Sequence, residues 1–249
     1  PPLGALLFAA GMASPFVAQA VFVALGAVLV RKVSLGVAPP AIEAQRSMRA
    51  EIRDGARWLW HHPPVRRLTL TVLAFNVTFG STLAILVLYS RERLGLGELG
   101  FGLLTTVGAL GGILGASSYG RLERRLGPAT LMRIGLIVET CTHLTLALTT
   151  LPGVAMAILF VFGVHESVWG TTVMTIRQKA VPSEYQGRVG SVYLLALMGG
   201  LVVGAAVGGV IARIWGITGP FWFAFAGSVV ILVVIWRSLS QIAGPRTDA

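Results

Sequence analysis

Four ionisable side chains interrupt long apolar runs of this chain: Glu139 and His143 in one run, His165 and Glu166 in the next. Imidazole and carboxylate are the groups that take up and release protons most readily, and His does so near physiological pH. If the runs cross a bilayer, each charge near its centre costs about 2.5–3.5 kcal/mol on insertion scales, so acids placed there point to proton coupling or cation binding. Glu139 and His143 stand four apart and share one helix face. At 1.5 Å rise per residue Glu166 lies roughly 20 Å from the start of its helix, near mid-membrane, and Glu139 reaches a similar depth from the opposite side. Asn76 and the Thr171, Thr172, Thr175 cluster add groups that can hydrogen-bond a substrate or a neighbouring helix, with backbone satisfaction the simpler role for the threonines.

Other chemistries lack their residues. No nucleophile–base arrangement, phosphate-cradling glycine loop or metal-ligand spacing occurs, so no enzymatic activity, ATP hydrolysis, cofactor or metal is expected, and energy for any work would come from an ion gradient. The single Cys141 sits in an apolar run and is expected to be a small packing residue.

The elements holding these groups are long. With 55% hydrophobic and 12% charged residues, the 249-residue chain departs from the balance of a water-soluble domain. A hydrocarbon core of about 30 Å needs roughly 20 helical residues. Six runs fit, at 67–90, 99–119, 130–150, 153–176, 189–212 and 217–237. Residues 14–30 form a seventh, shorter helix between Ser14-Pro15 and Arg31-Lys32, and 1–11 read as the tail of an earlier one. Buried helices of a large soluble bundle are rarely apolar all round and rarely come six in succession. The chain opens on Pro1-Pro2-Leu3-Gly4 without a signal-peptide pattern and is expected to be a fragment.

The cations orient these spans. Seventeen of the 20 Lys and Arg fall in alternate connections: Arg31, Lys32, Arg46, Arg49, Arg53, Arg57, Arg66 and Arg67; Arg121, Arg124, Arg125 and Arg133; Arg177, Lys179 and Arg188; Arg237 and Arg246. The positive-inside rule makes those connections and the C-terminus cytoplasmic, leaving Arg91, Arg93 and Arg213 on the other side. A net charge of +10 spread over short loops, with no continuous basic face, does not suggest nucleic acid. Residues 41–61 mix Ile42, Met48, Ile52, Leu59 and Trp60 with charges at partial helical spacing, which predicts an amphipathic helix at the cytoplasmic interface; His61-His62-Pro63-Pro64 ends it.

Small residues four apart mark packing seams at Gly108, Gly111, Gly112 and Gly115, and at Gly200, Gly204 and Gly208. A shift of 205 positions superposes Gly4, Gly11, Pro15 and Phe16 on Gly209, Gly216, Pro220 and Phe221. Such an echo in the same helix–turn–helix context predicts a parallel repeat, the plan of two-halved transporters.

Three stretches carry a resemblance to a known family. They are Gln45-Arg46-Ser47…Glu51-Ile52…Gly55…Arg57-Trp58…His62-Pro63…Arg66; Tyr89…Arg91-Glu92-Arg93-Leu94-Gly95-Leu96-Gly97 with Gly100-Phe101-Gly102-Leu103; and Gln178…Val181-Pro182…Gly187-Arg188-Val189…Ser191-Val192-Tyr193. Together they resemble the major facilitator superfamily, in its drug–proton antiporter branch of enterobactin-exporter-like and macrolide-efflux-like proteins. A fourth stretch, Gly120-Arg121-Leu122-Glu123-Arg124-Arg125-Leu126-Gly127, resembles the superfamily's cytoplasmic Gly-x-Leu-x-Asp-Arg-x-Gly gating signature, with Arg124 at the Asp position. Glu123, paired with Arg121 or Arg188, would have to replace the usual charge relay, and Gln178 belongs to the same cytoplasmic end.

The resemblance implies an all-α, polytopic membrane fold. Residues 1–30 would end a first half, 31–66 form a cytoplasmic central loop, 67–240 form a six-helix second half and 241–249 a cytoplasmic tail. It implies cavity-lining first, second, fourth and fifth helices in each half, placing His165 and Glu166 on a cavity helix and Glu139 and His143 on a peripheral one. The implied activity is proton-coupled efflux of a hydrophobic or amphipathic small molecule of drug or siderophore type, by alternating access in a bacterial-type inner membrane. Substrate, protons, lipid and the missing N-terminal half would be the partners. An importer or uniporter of the same fold, and a non-transporting sensor or scaffold, are the alternatives.

Overall fold

The computed structural model describes residues 7, 11, 13–31 and 47–239. Gly4, Lys32, Gln45, Arg46, Arg246, residues 41–46 of the expected amphipathic helix and the 241–249 tail lie outside them. The described residues form an all-α protein: α1 (Ser14–Arg31), α2 (Met48–His61), α3 (Pro63–Leu83), α4 (Leu86–Leu88) running into a π turn (Tyr89–Arg93), α5 (Glu98–Leu148), α6 (Pro152–Ala180), a 3-10 turn (Ser183–Tyr185), α7 (Gln186–Trp215) and α8 (Gly219–Ile235). By length and apolarity four stretches can cross a membrane, and a fifth does so if α3 and the segment Leu86–Arg93 are one bent span; α8 is shorter at 17 residues.

The chain divides into two compact units, Pro1–Ser47 and Met48–Ala249. In the first, α1 has no buried residue, and its Phe16, Phe22 and Val30 are exposed.

In the second unit α5 is the longest element. A straight helix of its 51 residues would run roughly 77 Å, more than twice the hydrocarbon thickness. It is broken at Gly127, whose φ of 73° and ψ of 159° leave the helical region. The cause is local: glycine alone adopts that φ freely, and the following Pro128 pushes its predecessor out of the α conformation. Both arms then meet α6 within one short stretch, Gly111 against Phe160 and Gly135 against His165 and Trp169. The arms therefore fold back on each other and realise the two separate spans expected at 99–119 and 130–150.

Glycines decide how closely the helices approach. A Cβ on Gly200 would meet the Leu73 carbonyl at 2.6 Å, and Gly204 and Gly208 face the Val77 and Ser81 carbonyls more closely still, so α7 lies directly on the α3 backbone. The α5–α6 contact is built in the same way by Gly111 and Gly115, with Gly163 and Gly80 supplying the reciprocal approaches from α6 and α3. By contrast, Gly108 and Gly112 would make ordinary contacts at 3.6 and 3.8 Å. Around these seams α8 packs on both α5 and α3.

The expected span 67–90 is bent by 41° between α3 and α4. Hydroxyls of Thr78, Ser81 and Thr82 donate to carbonyls three residues back, at Phe75, Thr78 and Phe79, just before the bend. Such back-bonding competes with the helical ladder and bends it. Beyond the bend, Tyr89 is fully buried and its hydroxyl donates to the Leu146 carbonyl at 2.6 Å. Arg93 donates to the Thr149 and Leu148 carbonyls at 3.2 and 3.3 Å, satisfying groups that the end of α5 leaves open.

At the opposite, basic end several Arg side chains lie over aromatic rings: Arg66 over Trp60, Arg133 over Trp236, Arg177 over Tyr193 and Arg188 over Tyr185, at 4.9–5.8 Å. Helix α2 packs there with Gly55 against the Arg188 backbone and Leu59 among Val65, Val181 and Val189, while Met48 and Trp60 remain exposed. It ends at His61, as the His-His-Pro-Pro sequence requires, and α3 starts on Pro63. Cys141, expected to pack, is instead an exposed free thiol, because the face of α5 that turns Glu139 and His143 inward turns Cys141 outward.

The 205-residue echo extends to backbone geometry. Gly11 and Gly216 both take positive φ, at 152° and 82°. Ser14 N donates to Gly11 O at 3.1 Å and Gly219 N to Gly216 O at 3.0 Å; Phe16 N to Ala13 O and Phe221 N to Thr218 O are both 3.1 Å. The helix start of α1 thus repeats that of α8.

Candidate functional site

The site grows from the contact between the second arm of α5 and α6. Gly135 permits that contact, since a Cβ there would stand 2.9 Å from Nδ1 and Cε1 of His165 and 3.0 Å from Trp169. One helical turn further along, Glu139 meets the same ring: its Oε2 is 3.7 Å from His165 Nε2. Another turn brings His143, whose Nε2–H donates to Glu139 Oε1 at 2.8 Å. The three groups are 0%, 2% and 6% exposed, so the cluster is closed to lipid and water alike.

Aromatic rings wall it. Phe75, Phe162 and Trp169 surround His165 at centroid distances of 6.1, 5.7 and 5.9 Å, Phe75 stacks on Trp169 at 5.4 Å, and Phe79 stacks on Phe162 at 5.6 Å. Three polar atoms of the cluster, His143 Nδ1, Glu139 Oε2 and His165 Nε2, have no hydrogen-bond partner among the described residues.

Glu166 points elsewhere. Successive helical residues diverge by about 100°, and while His165 turns into the bundle, Glu166 is exposed and borders a cleft of about 480 Å³. Phe79, Leu83, Leu104, Phe162 and Ser167 also line this cleft, which is apolar apart from the carboxylate and a few hydroxyls. A smaller cavity of about 30 Å³, bordered by His143, Thr82 and Thr142, shares Phe79, Leu83, Leu86, Leu159 and Phe162 with the cleft, so one layer of side chains separates the two.

Glu139, His143 and His165 are therefore brought together, whereas His165 and Glu166, neighbours in sequence, are parted. Asn76 stands apart from the cluster: its Nδ2 donates to the Val72 carbonyl at 2.8 Å, and its backbone forms part of the seam against Gly204. Thr171 and Thr172 donate to the Ser167 and Val168 carbonyls, the backbone satisfaction expected of them. Gly120, Arg121, Glu123, Arg124 and Gly127 run along the end of the first α5 arm to the break. The substitute pairing of Glu123 with Arg121 or Arg188 is absent among the described residues: Arg188 lies over Tyr185 instead. Gln178 contributes its carbonyl, which, with that of Val181, accepts from the Gln186 side chain at 2.9 and 2.6 Å. Gly135, Phe75, Phe162 and Trp169 were not among the candidates; a glycine and aromatics in apolar runs read as core until the neighbouring helix is placed.

The family model described as "Major Facilitator Superfamily" matches residues 1–200 and 102–248. Among curated proteins the chain is similar to the multidrug resistance protein MdtG of Salmonella arizonae, at 24% identity over 180 residues, covering 71% of this chain and 45% of that protein. The MdtG proteins of Salmonella paratyphi B and Salmonella newport match at 25% identity over the same shares. The chain thus spans about half the length of the curated relatives it matches.

Proposed function

The chain belongs to the major facilitator superfamily, and from that premise we propose that it forms part of a proton-coupled exporter of hydrophobic or amphipathic small molecules, working by alternating access in a bacterial inner membrane. The observation that carries this reading is Glu139 with two histidines, buried among apolar helices one side-chain layer from an open apolar cleft. A carboxylate and imidazoles in contact can hold and pass a proton, and an intramembrane acid is retained where ions or protons move. Glu166 in the cleft suits an amphipathic cation, with Phe79 and Phe162 offering their rings to its apolar part. The similarity to multidrug resistance proteins supports export of such molecules.

In this reading residues 1–30 end one half of the transporter, residues 67–240 form the other, and the basic connections face the cytoplasm. The matching helix starts of α1 and α8 support two halves built on one plan. The Gly120–Gly127 turn, Gln178 and Arg188 stand at the end that opens and closes to the cytoplasm, with Asn76 on the α3–α7 seam along the pathway.

The test is export of tetraphenylphosphonium from cells making the complete protein. Wild type should lower intracellular probe in a manner abolished by a protonophore, and Glu166→Gln should remove that effect. Export by Glu166→Gln equal to wild type would sink the assignment of Glu166.

A further inference from the structure

Between α3 and the C-terminal end of α8 runs a groove of about 310 Å³ that shares no residue with the cleft at Glu166 or with the Glu139 cluster. Its walls change character along their length. On α3 they pass from Arg67 to Leu70 and Ala74, and on the other side from Ser238 back to Val234 and Val230. As the first and last of six alternating spans, α3 and α8 run in opposite directions, so Arg67 and Ser238 stand at the same end and the apolar residues lie deeper. At 1.5 Å per residue the stretch from Arg67 to Ala74 covers about 10 Å, a third of a hydrocarbon core of about 30 Å. Leu70, Val230 and Val234 are exposed, so the groove is open along its side.

The polar end lies at headgroup depth. Trp236, two residues before Ser238, is 41% exposed and has the Arg133 guanidinium over its ring, and the exposed Trp60 carries Arg66 in the same way. Exposed tryptophans of this kind mark the boundary between headgroups and acyl chains. The charge at this end has one sign: Arg66 adjoins Arg67, Arg237 adjoins Ser238, and no carboxylate lines the groove. Arginine presents five N–H donors in a planar fork that fits phosphate oxygens, so Arg67 can serve a phosphate beside any protein partner.

We propose that this groove binds one anionic phospholipid, with the phosphate on Arg67 and the Ser238 hydroxyl and the first part of one acyl chain along Leu70, Ala74, Val230 and Val234. Basic pockets between membrane helices hold anionic headgroups in this manner, and an anionic diacyl lipid matches both the charged end and the apolar furrow. The site depends on the membrane placement of α3 and α8 and is independent of proton coupling.

The experiment uses the complete protein, delipidated in detergent and titrated with dioleoylphosphatidylglycerol, with bound lipid counted by native mass spectrometry. Wild type should hold one such lipid at least fivefold more tightly than dioleoylphosphatidylcholine, which has the same chains, and should not retain free glycerol 3-phosphate. Arg67→Gln should weaken that binding about fivefold, the worth of one cation near an anionic headgroup layer. Arg49→Gln, which removes a charge from α2 away from the groove, should leave it unchanged. Val234→Trp fills the furrow from an exposed position and should abolish tight binding; if it does not fold, Arg67→Gln still decides. Equal retention of the two lipids, wild-type binding by Arg67→Gln, or an equal loss in Arg49→Gln overturns the proposal. So does a protein that forms dimers and holds no lipid, since a second copy would then cover the groove.

Discussion

Glu139 reaches His165 across the α5–α6 contact, Oε2 to Nε2 at 3.7 Å, although each has an ionisable neighbour closer in sequence. This cross-helix pairing, rather than the adjacent His165-Glu166 dipeptide, organises the buried polar groups. It exists because Gly135 leaves room for the imidazole one turn before Glu139.

Gly135→Ala should therefore act on the site and on stability together. Its methyl would press on the His165 ring and Trp169, and overpacking of this kind costs about 1–3 kcal/mol. Thermal unfolding in detergent should show the loss, and proton-coupled export should fall with it.

The seam glycines should differ among themselves despite their common spacing. Gly111→Ala and Gly204→Ala place a methyl on a neighbouring backbone carbonyl and should each lower stability by about 1–3 kcal/mol. Gly112→Ala, in ordinary contact, and Gly209→Ala, with open space around it, should be tolerated. Comparing yields of folded protein for the four variants checks the assignment.

Tyr89→Phe removes the hydroxyl that donates to Leu146 from a fully buried position. A loss of about 0.5–1.5 kcal/mol is expected, with helicity unchanged, measured by thermal unfolding followed by circular dichroism.

Much of this arrangement is legible in the residues. Long apolar runs, the His-His-Pro-Pro break and glycines four apart each specify local structure whatever surrounds them, and the described helices follow them. The alternation of cations likewise depends only on chain order. What could not be read depends on how one helix is rotated against the next. His165 and Glu166 look like one pair in sequence, yet 100° of helical turn sends one into the bundle and the other to the cleft. Gly163 and Gly80, lacking glycine neighbours at regular spacing, show their purpose only opposite Gly108 and Leu201. The bend after Thr82 arises from hydroxyls whose back-bonding becomes visible only in three dimensions.

Sidedness has its own test. In a Cys141→Ala background, a cysteine at Arg53 should resist a membrane-impermeant maleimide in intact cells, and one at Thr150, in the turn before α6, should react. Labelling at position 53 with protection at 150 would reverse the proposed orientation.

The central claim is that the buried Glu139 cluster couples substrate movement to protons, and flux in proteoliposomes addresses it most directly. With the complete protein reconstituted, an imposed pH gradient should drive tetraphenylphosphonium accumulation that Glu139→Gln abolishes, while exchange of labelled for unlabelled probe without a gradient continues. Gradient-driven accumulation by Glu139→Gln at the wild-type rate would contradict the account.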